Sequence, residues 1–145
     1  MMRKHSGQEP RGQALVEFAL IVPLFLLIVL GLFDMGRAVF YYSTISNASR
    51  EAVRLGIVDQ NTGNIRQEAV DVASAVMPVA LADVTVEYLA PDLSSGGTCS
   101  TAPYDIGCVI RVEVGHTFQP ATPFVGALSF SAETQQQIER RFASP

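Results

Sequence analysis

Hydrophobic and polar positions divide the chain into a long apolar segment near the N-terminus and a C-terminal part in which the two kinds of residue alternate. From Phe18 to Phe33, 16 consecutive positions carry no charged or hydrogen-bonding side chain. Extended back to Gln13, the segment has 21 residues. As a helix it measures about 31 Å, enough to cross a hydrocarbon core of about 30 Å. The pattern predicts one membrane-spanning helix over residues 13–33.

The helical pattern continues beyond the span. A stripe of residues at 3-4 spacing becomes small towards its end, which allows a helix to lie close to a sheet. We therefore predict one helix from Gln13 to Ile57, with its later part as the spine of a domain over residues 34–145. The stripe consists of Met35, Ala38, Tyr42, Ile45, Ser49, Ala52 and Gly56, and the polar positions Arg37, Thr44, Arg50, Glu51 and Arg54 lie on the opposite face.

A second helix and three strands are predicted after this spine. Residues 59–64 have the composition of a turn, and Asn64 with Gln67 resembles a capping box at the start of a short helix that ends by Pro78. Apolar and polar residues then alternate over residues 84–89 and 110–114, and more weakly over 128–136. These elements predict an α+β fold, in which a three-stranded antiparallel sheet packs on one side against the helices.

Charge is distributed unevenly along the chain. The net charge is -4, but Arg3, Lys4 and Arg11 against Glu9 give residues 1–12 a charge of +2, so residues 13–145 carry -6. Phosphate binding needs clustered cations, so nucleic acid is not an expected partner. The basic N-terminus favours an N-in orientation, although three arginines follow the span closely and weaken that inference.

Removal of the apolar segment as a secretory signal is disfavoured. The apolar run is longer than the usual 7 to 15 residues, and residues 34–37 do not resemble a small-x-small cleavage site. The segment is therefore expected to remain as a single-pass anchor in the membrane lipid.

Cys99 and Cys108 are the two cysteines of the chain. Nine positions apart in a Gly/Ser/Thr/Pro-rich loop, they suit a small disulfide loop outside the cytoplasm. Two unpaired surface thiols are the alternative. A metal site is disfavoured because two cysteines without a nearby histidine or second pair provide too few ligands. We predict no metal and no cofactor.

Glu17 is the one charged residue at the front of the apolar segment. A carboxylate at the centre of a membrane helix costs about 2.5 to 3.5 kcal/mol, and less near an end. Glu17 either lies hydrated at the headgroup level or has a partner. Gly12 precedes it by five positions, a basic stretch precedes the glycine, and an uninterrupted apolar helix follows.

This arrangement resembles the processing site of type IV prepilins, in which a prepilin peptidase cuts after the glycine on the cytoplasmic side. The wider sequence resembles the TadE family, pilin-like subunits of the tight adherence (Tad, or Flp) pilus system. The N-terminal block is the specific part of the resemblance and the remainder is supportive. The residues that carry it are 11–24, 33–38, 46–54, 112–118, 120, 122–126 and 130–133.

The resemblance implies a minor pilin or pseudopilin whose leader, residues 1–12, is cleaved between Gly12 and Gln13. It implies an assembly role for Glu17 and Phe18, with Glu17 pairing with the free N-terminal amine of a neighbouring subunit. The implied location is the inner (cytoplasmic) membrane, with the C-terminal domain extracytoplasmic or in the pilus fibre. The implied partners are other pilin-like subunits, the Tad inner-membrane assembly platform and the prepilin peptidase, and the implied role includes cell adhesion.

Two other function classes remain open. One is a single-pass anchored domain that binds an extracytoplasmic ligand without entering a fibre. The other is an exported enzyme, which the sequence disfavours because His116 stands without evident catalytic partners and no nucleophile-elbow spacing is present.

Overall fold

The computed structural model describes residues 11–93, 99, 104 and 106–139. The predicted leader, apart from its last two positions, and most of the loop around Cys99 lie outside the described residues. Two helices are followed by three strands, which confirms the predicted α+β class. The elements are helix α1 (Arg11–Val58), helix α2 (Thr62–Ser74), a 3-10 turn (Leu81–Asp83) and strands β1 (Val84–Leu89), β2 (Val109–Phe118) and β3 (Leu128–Gln137).

Helix α1 has 48 residues and continues through Pro23, so it is about 72 Å long. Its later part is the predicted spine: Ile45, Ser49, Ala52 and Gly56 are buried. The earlier members of the predicted stripe differ, since Met35 remains exposed. The strands that cover the later stripe residues end near Met35, so the sheet covers the start of the stripe only in part.

The predicted polar face of α1 is correct at residues 50–54 and wrong at Thr44. Arg50, Glu51 and Arg54 are exposed. Thr44 is buried, and its hydroxyl donates to the carbonyl oxygen of Phe40 at 3.0 Å. A threonine can be buried on a helix because the preceding turn satisfies its hydroxyl.

Helix α2 begins earlier than the capping-box prediction. Its N-cap is Asn61, whose side-chain oxygen accepts a hydrogen bond from the amide of Gly63 at 2.9 Å. Asn64 lies inside the helix and donates to the carboxylate of Asp59 at 2.6 Å, so its side chain does not cap. The buried positions Ile65, Ala69 and Ala73 include two alanines, which let α2 pack closely on α1.

The sheet is three-stranded and antiparallel, as predicted, and its strand order is β1-β2-β3. Val84 pairs with Val114, and Val109 pairs with Gln137. Strand β2 is longer than predicted because pairing with β3 continues through Gly115–Phe118 although the sequence no longer alternates there. The core between the helices and the sheet includes Val84, Val86, Tyr88, Ile110, Val112, Val114 and Ala132.

Helix α1 lies directly against the sheet at Gly56. A Cβ atom at this position would lie 2.1 Å from Cδ1 of Ile110, which is fully buried. Tyr88 also reaches this point, and its hydroxyl donates to the carbonyl oxygen of Gly56 at 3.1 Å. Burial raises the pKa of Tyr88 well above its usual range, so the hydroxyl keeps the proton that it donates.

The described residues of the cysteine loop lie near the C-terminal end of α1. Cys99 and Cys108 are joined in a disulfide and are both buried. Tyr104 stacks on the ring of Tyr88 with 3.6 Å between centroids. Its backbone amide donates to the Gln60 side chain, and its carbonyl accepts from that side chain, at 2.8 and 3.0 Å. The loop is therefore fastened to the end of α1 as well as to β2.

Candidate assembly helix and its junction with the domain

The first half of α1 projects from the domain without cover. Its side chains are exposed over residues 12–33 apart from the half-buried Val22. Among the described residues, α1 is the one helix long and apolar enough to cross a membrane, and none of its most apolar 18-residue window is buried. So large an exposed apolar surface indicates contact with lipid or with other proteins. It fits a membrane-anchored protein.

Gly12, Gln13, Glu17 and Phe18, the residues predicted for processing and assembly, all lie on this free end and are exposed. No atom lies within 4 Å of a Cβ built at Gly12. The side-chain amide of Gln13 donates to the Glu17 carboxylate at 3.4 Å, one helical turn away. The predicted disulfide at Cys99 and Cys108 lies at the opposite end of the molecule, so the structure does not bring these two sets of residues together.

The sequence did not identify Asp34 as a functional residue. It follows the predicted span directly and is only 6% exposed. Its carboxylate accepts hydrogen bonds from the amide of Ala121 at 2.9 Å, from the amide of Thr122 at 2.8 Å and from the Thr122 hydroxyl. Arg37 lies 3.6 Å away. Asp34 therefore fastens the β2–β3 loop to the helix at the end of the span.

These partners lower the pKa of Asp34 below its usual value. The Thr122 hydroxyl has the largest effect, followed by the Ala121 amide, with smaller contributions from the Thr122 amide and Arg37. Asp34 is thus an ionised acceptor at neutral pH. A sequence signal existed, namely an acidic residue at the end of an apolar run with an arginine three positions later. Its partners, 87 and 88 positions away, gave no such signal.

Arg37 was predicted on the polar face but lies half-buried among aromatic rings. Its guanidinium carbon is 5.3 Å from the ring centroid of Phe118, 5.7 Å from Tyr41 and 6.0 Å from Phe33. Tyr41 also packs edge-on against His116, with centroids 5.6 Å apart. His116 is thus a packed histidine. The cation and the rings form an amphipathic belt just above the predicted span.

An apolar groove of about 580 Å³ lies beside this belt, between α1 and the β2–β3 connection. Asp34 forms part of its polar margin. Its apolar walls include Leu27, Gly31 and Met35 from α1, and Val125, Leu128 and Phe130 from the C-terminal part. The groove therefore joins the surface of the predicted span to the surface of the domain.

The described residues contain no group of three or more His, Cys, Asp or Glu side chains that could hold a metal ion. The polar groups at the junction between α1 and the domain bind one another, and they hold the β2–β3 loop against the helix.

The model of the TadE-like protein family matches residues 12–54. No curated protein and no solved structure is matched by the chain. The matched segment starts at Gly12 and contains Gln13, Glu17, Phe18 and Asp34. Residues 55–145 lie outside it, so the expected similarity of residues 112–133 to the family stays a prediction. TadE-like proteins are pilin-like, structural proteins of Tad pili, and residues 12–54 of this chain are similar to that family, as the N-terminal motif predicted.

Proposed function

We propose that this protein is a minor pilin or pseudopilin of a Tad (Flp) type IV pilus, processed after Gly12 by a prepilin peptidase and active in pilus assembly and surface adhesion. The observation that carries the proposal is the uncovered apolar helix at residues 12–33, with one carboxylate near its front, inside the TadE-like segment. The domain of the same chain leaves this helix bare, so its cover comes from lipid before assembly and from neighbouring subunits afterwards.

Glu17 is the proposed register residue of that assembly. Its carboxylate is exposed in the isolated chain and has the Gln13 side chain within 3.4 Å. Among packed helices away from water it needs a cationic partner, and the N-terminal amine released by cleavage supplies one. A buried pair that loses one partner is destabilised by about 3 to 5 kcal/mol, which is enough to reject a subunit in the wrong register.

The membrane arrangement follows from the same residues. The leader lies in the cytoplasm with the peptidase, residues 13–33 cross the inner membrane, and residues 34–145 lie on its outer side. An extracytoplasmic domain suits the Cys99–Cys108 disulfide, because disulfides persist in oxidising compartments. The assembly platform and other pilin-like subunits are the proposed partners.

Intact-mass measurement of the protein purified from its own membrane tests processing directly. Cleavage removes 12 residues, and a Gly12→Leu variant keeps them and yields cells without pili. Gly36→Leu is the matched control, because Gly36 also lies on an open part of α1 with nothing within 4 Å of a Cβ; this variant is expected to be cleaved normally.

An intact Met1 on the wild-type protein overturns the prepilin proposal. Normal piliation with Gly12→Leu supports the anchored binding domain instead. A mature chain whose Gln13 has cyclised keeps the processing proposal but removes the amine, and so overturns the pairing with Glu17.

A further inference from the structure

The β2–β3 loop is held at the level where the predicted span ends. Asp34 accepts the amides of Ala121 and Thr122, and it lies one residue beyond the span. Leu27, which lines the same groove as Val125, is about 10 Å further down the helix axis. The loop thus sits beside helix residues that belong to the outer boundary of the hydrocarbon core.

The exposed part of this loop is apolar. Phe124 is 81% exposed, Val125 48% and Leu128 44%. Residues 117–132 contain no charged side chain. An uncharged segment with a large exposed aromatic residue is suited to the region between headgroups and acyl chains.

Part of the loop backbone, from Pro120 to Val125, also has hydrogen-bond partners within the protein. Backbone amides without partners are costly in lipid, so each amide that has one lowers the cost of placing the loop where water is scarce. Asp34 accepts from Ala121 and Thr122, and the amide of Val125 donates to the carbonyl oxygen of Thr122 at 3.3 Å. Pro120 and Pro123 have no amide hydrogen.

The belt above the span marks the same level. Phe33, Arg37 and Tyr41 are close together on α1, and aromatic and cationic side chains are enriched at membrane interfaces. The groove runs from this belt down to Leu27, where the predicted surroundings of the helix are lipid. Its lower end is thus continuous with the lipid-facing surface of the span.

We propose that residues 120–128 form a second membrane contact, in which Phe124 and Val125 enter the outer leaflet and the groove takes a lipid acyl chain. The domain is then held to the membrane at two points, and its orientation relative to the bilayer is fixed. This contact requires α1 to span a bilayer, but it does not depend on cleavage or on the pilus role.

Tryptophan fluorescence tests the contact cleanly because the chain contains no tryptophan. The full chain is reconstituted into phosphatidylcholine/phosphatidylglycerol vesicles that contain a mixture of lipids with acyl chains brominated near the headgroup and near the bilayer centre. Phe124→Trp is the test variant. Phe25→Trp, in the span, is the positive control, and Ile106→Trp, exposed at the far end of the domain, is the negative control. Leu128→Trp repeats the test from the groove wall.

Bromolipid is expected to quench Phe124→Trp and Leu128→Trp to an extent comparable with Phe25→Trp, and aqueous iodide to quench them little. Ile106→Trp is expected to show the opposite response. If Phe124→Trp and Leu128→Trp respond like Ile106→Trp while Phe25→Trp is quenched by lipid, the second contact is wrong and the membrane helix stands. Shielding from both quenchers means that a protein neighbour covers the loop, which also overturns the lipid contact. An unquenched Phe25→Trp overturns the membrane helix and the contact together.

Discussion

The two halves of helix α1 share one backbone conformation and have different surroundings. Residues 12–33 are almost entirely exposed, whereas from Asp34 onward one face is covered by the sheet and by α2. In the lower half all side chains from Phe18 to Phe33 are apolar although nearly all of them are exposed. In the upper half the covered positions become small, as at Ala48, Ala52 and Gly56. The apolar surface of the first half needs lipid or other proteins to cover it, whereas the second half is covered by the sheet and α2 of the same chain.

This difference separates two kinds of mutational effect. A substitution in residues 12–33 is expected to change membrane insertion or the proposed assembly and to leave the domain fold intact. A substitution on the covered face of residues 34–58 changes the free energy of unfolding of the domain. The TadE-like match, residues 12–54, crosses the boundary and stops just before Gly56. The family signature thus follows the helix through both environments rather than the sheet.

The largest expected effect is that of Glu17→Gln on assembly. In the proposed assembly, loss of the charge leaves the partner amine unpaired among the packed helices, at an expected cost of about 3 to 5 kcal/mol per contact. Cells with this variant are expected to lose pili while the protein is still cleaved and its domain unfolds at the wild-type urea concentration. Electron microscopy and urea denaturation in detergent measure the two effects.

Glu51→Gln is the control for this prediction, because Glu51 is an exposed carboxylate on the upper half of the same helix. It is expected to leave piliation unchanged. Equal piliation in the Glu17→Gln and wild-type strains contradicts a pairing role for Glu17.

The disulfide gives the next largest effect, and it is confined to the domain. Its two cysteines are nine positions apart, and a loop of that length restricts the unfolded chain by roughly 2 to 3 kcal/mol in the chain-entropy description. The double substitution Cys99→Ser with Cys108→Ser is expected to lower the free energy of unfolding by that amount in urea titrations. Reduction of the wild-type protein should give a similar decrease, and an unchanged midpoint in both cases contradicts the prediction.

Patterns within one element were predictable from the sequence, and links between distant elements were not. Strand β1 was predicted with its observed bounds because Val84, Val86 and Tyr88 face the helices and the residues between them face outward. The fastening of Asp34 to Thr122 joins positions 88 residues apart, and neither position has a pattern that indicates the other. The cap of α2 was misplaced because the sequence offers two asparagines three positions apart, and only the structure shows that Asn61 caps the helix while Asn64 donates to Asp59.

A smaller effect is expected where α1 meets the sheet. In Gly56→Ala the new methyl group conflicts with Cδ1 of Ile110, a side chain that is fully buried. Overpacking of this kind costs about 1 to 3 kcal/mol, which outweighs the roughly 1 kcal/mol that alanine gains over glycine in a helix. We expect a net decrease in the free energy of unfolding, measured by urea denaturation.

Two further variants sharpen this test. Gly36→Ala is the matched control, since nothing lies within 4 Å of its Cβ, and it is expected to be neutral or stabilising by up to about 1 kcal/mol. Ile110→Val removes the conflicting carbon atom, so in the Gly56→Ala background it should cost less than it does alone. Additive costs for the two substitutions contradict the contact between Gly56 and Ile110.

The smallest effect is the pH dependence at the boundary between the two halves. The pKa of Asp34 is lowered from 3.8, chiefly by the Thr122 hydroxyl and the Ala121 amide. A carboxyl group with a lower pKa in the folded state stabilises the fold fully above its unfolded pKa, and this stabilisation is lost as the pH falls through the folded value. The wild-type domain should therefore lose stability as the pH falls below about 4, and the Asp34→Asn variant should lose less stability over the same range.

Asp59→Asn is the comparison at the other end of the helix, because hydrogen bonds from the Asn64 side chain and the Asn61 amide lower the pKa of Asp59 too. If Asp34 fastens the loop, its variant alone should also expose the β2–β3 connection to proteolysis at neutral pH, since Asp59 makes no contact there. Equal protection of the loop in both variants shows that the sheet, rather than Asp34, holds it beside the helix.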